Sequence, residues 1–152
     1  MHDLSPFSQV KYDANRLGAT CLKMHVRLLV AFGSRVTGTP PPADHSDLDL
    51  AILPAHDRER SFFEYYTELS AIFRHESLDL SFLNKADPLF RYEIMKNAML
   101  LFGDIDDFLE YRAFAYKDFI DSEDLRTLEE RLFQKKMASI RRQLSEPAGE
   151  KS

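Results

Sequence analysis

The chain has one cysteine in 152 residues, Cys21. An intramolecular disulfide is therefore excluded, and a cysteine-based zinc site is not expected. Cys21 reads as a small core residue, the usual fate of a lone thiol. Long apolar runs are missing as well: none approaches the roughly 20 residues that span a bilayer. The segment Met1 to Val10 has neither the basic nor the apolar region of a secretory leader. A cytoplasmic location with no membrane partner is expected. Nor is there an excess of positive charge, since the net charge is -5 and the pI is near 5.5. That balance speaks against direct nucleic-acid binding, which needs a basic surface. Finally, the histidines form no metal-ligand spacing; His45, His56 and His75 read as surface or linker residues.

What the sequence does have is the composition of an ordinary globular protein, 44% hydrophobic and 30% charged. Its length suits a single domain, expected over residues 1–145, with a disordered tail at 146–152. Apolar periodicity predicts a helix from Ser8 to Lys23 and then a buried strand from Val26 to Phe32 that stops at Gly33. The stretch Thr37 to Ala43 holds Gly38, Pro40, Pro41 and Pro42 and must be a loop. Alternation predicts strands at Leu48 to Leu53 and Leu78 to Leu83, separated by an amphipathic helix from Arg58 to Phe73. Asp87-Pro88 looks like a cap followed by proline at the first helical position, opening a helix to Asn97. Met99 to Phe102 adds a short strand. Ile105 to Leu144 is a long helical tract, with Asp121-Ser122-Glu123-Asp124 read as the stop of one helix and the cap of the next. The fold class implied is α/β (α+β): a small mixed sheet flanked by helices, with a long C-terminal helical tract.

Three motifs on these elements carry chemistry. Gly33-Ser34 follows the first strand, where glycine frees the backbone to turn sharply and present N–H groups to a phosphate. Gly33 and Gly38 have P-loop spacing, but Thr39 and Pro40 stand where that motif needs lysine and a hydroxyl residue, so it is not a P-loop. Asp47 and Asp49 are two apart on a strand, so their carboxylates share a face. Adjacent anions are costly unless hydrogen bonds or a hard cation compensate, and Mg²⁺ takes such oxygen ligands alongside substrate phosphates. Asp79 interrupts a third apolar strand, flanked by Leu78 and Leu80, where an unpaired buried carboxylate would be expensive. If the strand of Asp79 lies beside that of Asp49, the three acids meet.

The ordered set Gly33-Ser34, Ser46-Asp47-Leu48-Asp49-Leu50-Ala51 and Leu78-Asp79-Leu80 resembles the signature of the DNA polymerase β-like nucleotidyltransferases. The likeness runs from Phe32 to Leu83. It implies attack on the α-phosphate of a nucleoside triphosphate with pyrophosphate leaving. In that scheme Asp47, Asp49 and Asp79 are the catalytic and Mg²⁺-binding acids, Gly33 and Ser34 seat the triphosphate, and Asp79 also receives the proton of the attacking hydroxyl. Arg35 is read either as a further phosphate contact or as a solvated loop arginine. The spacer from Arg35 to Ser46 is longer than the family pattern usually has, which bears on substrate choice rather than on metal binding.

Beyond the third acid, Asp87-Pro-Leu-Phe-Arg-Tyr-Glu-Ile and Met99-Leu-Leu-Phe-Gly resemble the minimal nucleotidyltransferase antitoxins of the MntA type, which pair with HEPN-domain toxins. This second likeness implies transfer of AMP from ATP to a tyrosine of a cognate HEPN toxin. Two other readings stay open at this level: a small-molecule nucleotidyltransferase of the aminoglycoside type, and a non-catalytic nucleotide-binding antitoxin that masks its partner. The aromatic residues of the C-terminal tract would serve a partner surface or, more simply, pack on the sheet.

Overall fold

The computed structural model describes residues 6–39, 41 and 46–145. Most of the proline-rich loop (40 and 42–45), the extreme N-terminus with His2, and the tail 146–152 lie outside them. The elements run α1 (Ala14–Lys23), β1 (Val26–Phe32), α2 (Ser34–Thr37), β2 (Leu48–Pro54), α3 (Phe62–Ile72), β3 (Leu78–Phe82), α4 (Pro88–Met95), β4 (Met99–Phe102) and α5 (Ile105–Ser145), with 3₁₀ turns at Pro6–Gln9 and Leu83–Lys85.

The strands form one sheet in the order β3-β2-β1-β4. β1 pairs antiparallel with β2 and with β4, whereas β2 and β3 are parallel, joined by α3 as the crossover. Both faces of the central strands are covered. On one side Leu48, Leu50 and Ile52 of β2 pack with Leu17 and Cys21 of α1 and with Tyr65, Leu69 and Ile72 of α3. On the other, Ala51 and Leu53 meet Ile94 and Met95 of α4 and Phe108 and Ala115 of α5. Alternation thus sorts the central strands β1 and β2 between two cores, as a sheet covered on both faces requires. Cys21 is fully buried, and burial pushes its thiol up to about 12, in keeping with a structural role.

The mixed sheet and long C-terminal helix follow the sequence reading, with two corrections. The helix expected from Ser8 is split. Phe7 and Val10 bury themselves around a 3₁₀ turn, and α1 begins only after Asp13, whose carboxylate accepts the Arg16 N–H at 3.1 Å as an N-cap. At the other end, Asp121 to Asp124 does not interrupt the helix: α5 runs for 41 residues. The stretch holds no glycine or proline, and Ser122 Oγ turns inward to donate to the Phe119 carbonyl at 2.9 Å instead of capping a new helix. Arg126 closes over the same turn, donating to Ser122 Oγ at 2.6 Å and to Phe119 O at 3.3 Å, with its guanidinium 4.3 Å from the Phe119 ring. No described helix is long and apolar enough to cross a membrane.

Candidate active site

The sheet topology explains how motifs scattered over some fifty residues of sequence meet. Because β1 and β2 are antiparallel, the end of β1 lies beside the start of β2, and Phe32 is the register partner of Asp49. Because β2 and β3 are parallel, their starts coincide, and Asp49 is the register partner of Asp79. Gly33-Ser34, Asp49 and Asp79 therefore share one end of the sheet, with Asp47 immediately before β2.

Gly33 is the tightest point of this arrangement. Its φ is +80° and its ψ is -164°, a conformation that disfavours every residue with a Cβ. A Cβ here would also collide with the Asp49 carboxylate, whose Cγ would stand 3.3 Å away. The turn that follows is closed by bonds from Val36 N and Thr37 N to Gly33 O, each 3.0 Å, and from Gly38 N to Ser34 O at 2.8 Å. Gly38 ends it in the left-handed region. The N–H groups at the start of such a turn have no partner within it, so they remain available to an anion.

The acids interact electrostatically. The Asp49 carboxyl is pushed up to about 6, first because it is partly buried, then because Asp79 is close enough to repel its charge and accept its proton in a hydrogen bond, and last through the charge of Asp47. Asp79 itself lies on the exposed side of β3, so the expectation of a carboxylate buried in an apolar strand is corrected: it is reachable from solvent. Asp47 is exposed as well. Among the described residues, no three His, Cys, Asp or Glu side chains form a ready-made metal cage. A cage of that kind suits calcium or zinc; Mg²⁺ is ordinarily held by one or two carboxylates together with substrate phosphates. Asp47 and Asp49 fit that pattern. They are crowded oxygens whose mutual repulsion a divalent cation relieves, and the nearby guanidinium is already engaged elsewhere.

That guanidinium is Arg35. It grips Glu76 with two parallel bonds, Nη1 to Oε2 at 2.9 Å and Nη2 to Oε1 at 3.0 Å, and Nη1 also donates to the Ser46 carbonyl at 3.0 Å. Both side chains are largely shielded, 15% and 17% exposed. Arg35 is thus not a solvated loop arginine, since its donors are engaged by Glu76 and Ser46. It ties the Gly33 turn to the segments that lead into β2 and β3, and Glu76, which no motif marked, is its partner.

Beside Gly33 and Ser34 opens a cleft of about 500 Å³ whose far wall is α4, through Phe90, Glu93 and Ile94, and the Lys96 and Asn97 that follow it. Phe90 meets Phe32 edge to face, ring centroids 6.4 Å apart. Lys96 pairs with Glu93 at 2.6 Å, and that hydrogen bond raises its ammonium above the ordinary lysine value. The acids are not part of the cleft's lining; they adjoin it across Gly33. The α4 wall went unmarked in the sequence because only the sheet order brings α4 to this side. Of the histidines, His25, His56 and His75 are exposed, as expected; His45 lies outside the described residues.

The profile of the family "polymerase beta, nucleotidyltransferase" matches residues 19–107. No curated protein matches the sequence. The fold is shared with chains in solved toxin–antitoxin structures, among them the following three. One is a toxin–antitoxin with AMP-PNP (17% identity, 82% of this chain and 98% of that chain, TM-score 0.60). Another is the MntA-HepT pair (16% identity, 82% and 96%, TM-score 0.56). The third is a tri-AMPylated Shewanella oneidensis HEPN toxin in complex with an MNT antitoxin (16% identity, 82% and 99%, TM-score 0.53).

Proposed function

Because the chain belongs to the polymerase beta nucleotidyltransferase family, we propose that it is an antitoxin enzyme that transfers AMP from ATP to a tyrosine of a cognate HEPN-domain toxin in the cytoplasm. The observation that carries the transfer chemistry is the placing of the Gly33-Ser34 turn against Asp49, with Asp79 as the neighbouring strand's register partner. Support for the acceptor comes from the solved relatives of the same fold, one of which holds a HEPN toxin carrying AMP groups beside its antitoxin.

Each residue's part follows from its surroundings. Gly33 and Ser34 seat the triphosphate through the free N–H groups of the turn and the Ser34 hydroxyl. Asp47 and Asp49 would hold Mg²⁺, which would supply charge neutralisation for the triphosphate. The tyrosine oxygen attacks the α-phosphorus. A new P–O bond forms, the bond from the α-phosphorus to the bridging oxygen of the β-phosphate breaks, and pyrophosphate leaves with that electron pair. Asp79, exposed and adjacent to Asp49, takes the phenolic proton. The α4 wall of the cleft, with Phe90 near the Gly33 turn, offers an apolar surface for the nucleoside.

The test is incubation with α-labelled ATP, Mg²⁺ and the HEPN protein encoded beside it. Label on a tyrosine of the partner, lost in Asp49→Asn and Asp79→Asn, is the expected result. Neutralisation of the toxin without any transfer would overturn the enzymatic reading.

A further inference from the structure

Arg27, Arg35, Arg60, Lys85, Arg91 and Lys96 form ion pairs, and Arg112 donates to the Met95 and Ala98 carbonyls. Lys11, Arg16 and Arg74 have no such side-chain partner among the described residues. Yet all three line one hollow of about 540 Å³, together with His75. It opens between the start of α1 and the exit from α3. One acid, Asp13, shares the lining, and its carboxylate already accepts the Arg16 N–H at 3.1 Å. Three unpaired cations around one hollow repel each other, a cost that an anion would relieve.

Arg16 is placed against its own helix. It stands in the first turn of α1, which holds no acid, although the helix dipole favours a negative side chain there. Local stability therefore does not account for a cation at this position, and neither does the core, since Arg16 is exposed. The rest of the wall is apolar and fixed: Ile72 is buried, and the Tyr12 ring packs on Phe73 with centroids 4.9 Å apart. Burial raises the Tyr12 phenol, so its hydroxyl stays a donor. Tyr12 and Ile72 belong to the α1 and α3 face of the sheet, whereas Phe32 and Ile94 of the nucleotide cleft belong to the opposite face. The two openings are therefore separate, although His75 adjoins Glu76, which Arg35 grips from the Gly33 turn.

We propose that this hollow is a second anion site, which takes a small organic phosphate of nucleotide size. Arg16 and Arg74 present forked donors suited to a phosphate group, and Lys11 adds a point charge. Tyr12 and Ile72 offer an apolar surface to the body of the ligand, and the volume fits a mononucleotide better than a bare phosphate ion. An extended nucleic acid is a poorer fit, because it needs a basic surface well beyond the hollow, which a net charge of -5 disfavours. The inference stands on α1 and α3 and does not depend on the reaction proposed above.

Residue-resolved NMR on the full chain in EDTA tests it, with AMP, adenosine and inorganic phosphate as probes. AMP should shift the amides of Lys11, Arg16, Arg74 and His75 with a Kd below about 1 mM. Adenosine should not, and inorganic phosphate should bind about tenfold more weakly or worse. Arg16→Glu and Arg74→Glu should each weaken AMP binding about tenfold or more, whereas Asp49→Asn should leave these shifts unchanged. Both arginines are exposed and an acid suits the first turn of α1, so the variants should fold, and unchanged spectra elsewhere check this. Shifts confined to Gly33, Ser34 and Phe90, adenosine binding as well as AMP, phosphate binding as tightly as AMP, or indifference to the charge reversals would each overturn the proposal. So would an RNA oligonucleotide bound through these residues with no response to AMP, which would assign the hollow to a macromolecule.

Discussion

Gly33 stands so close to Asp49 that any side chain at position 33 would overlap the carboxylate, and its φ of +80° disfavours such a side chain independently. Gly33→Ala therefore carries two costs at once. Backbone strain alone is worth about 1–3 kcal/mol, and relief of the collision must displace Asp49, a ligand of the proposed cation. The expected outcome is a folded protein with a lowered melting temperature and at least about tenfold weaker binding of Mg²⁺ with a non-hydrolysable ATP analogue. Calorimetry checks it; wild-type affinity in the variant would show that the turn does not position the site.

The Asp49 and Asp79 pair predicts how stability follows pH. In the unfolded chain Asp49 titrates near 3.8 and in the folded protein near 6. Between those values the folded state binds more protons, so this group's contribution makes stability fall as pH rises from about 4 to about 6 and leaves it lower above that. Asp79→Asn removes the repelling charge and supplies an amide that can donate to Asp49. In the absence of metal the variant should be more stable at pH 7.5, by on the order of 1 kcal/mol, because solvent screens a group this open. Its advantage should shrink below pH 5. Denaturant unfolding at pH 4.5 and 7.5 gives the comparison, and an equal effect at both would remove the electrostatic account.

Arg35 and Glu76 form a two-bond ion pair between the Gly33 turn and the approach to β3. If Arg35 positions the turn rather than touching phosphate, Glu76→Gln should weaken nucleotide binding about as much as Arg35→Ala. The double variant should be little worse than either, with a coupling of roughly 1–3 kcal/mol in stability. Additive losses, with Glu76→Gln leaving nucleotide affinity intact, would return Arg35 to direct phosphate contact.

The sequence announced the elements and the chemistry but not how they are joined. Alternation around Asp49 and Asp79 located two strands, and Asp87-Pro88 located a helix start, because these signals are local. Convergence of the acids is non-local: it depends on β2 and β3 being parallel neighbours, a fact of topology that no spacing encodes. The Arg35–Glu76 pair could not be read from the sequence for the same reason, since the two residues are 41 apart. The α4 wall was invisible for a different one, because its residues acquire a role only through the cleft they help to close. The misplaced break at Asp121 to Asp124 came from weighing cap composition above the absence of any residue that stops a helix.

The cleft wall can be tested at Phe90, which is 41% exposed and leans on Phe32. Phe90→Ala removes little from the core, so the melting temperature should move by no more than a few degrees. If the nucleoside lies against α4, KM for ATP should rise by about tenfold with kcat nearly unchanged, the signature of lost binding shared by ground and transition states. An unaltered KM would place the nucleoside elsewhere.

The continuity of α5 through its acidic stretch rests on one side chain. Arg126 donates to the Phe119 carbonyl and to Ser122 Oγ and covers the Phe119 ring, so it ties successive turns of α5 together across the acidic stretch. Without it the helix keeps its backbone bonds but loses the cover over Phe119 and the seat of Ser122. Arg126→Ala should therefore loosen the helix from Ser122 onward and leave the sheet untouched. Amide hydrogen exchange resolves the two: protection from Leu125 to Leu144 should drop by about tenfold, roughly 1.4 kcal/mol of local stability, while β1 and β2 exchange as before. Arg126→Lys keeps the charge but not the forked donor and should recover only part of the protection. Full protection in Arg126→Ala would mean that helix propensity alone carries α5 across the acidic turn.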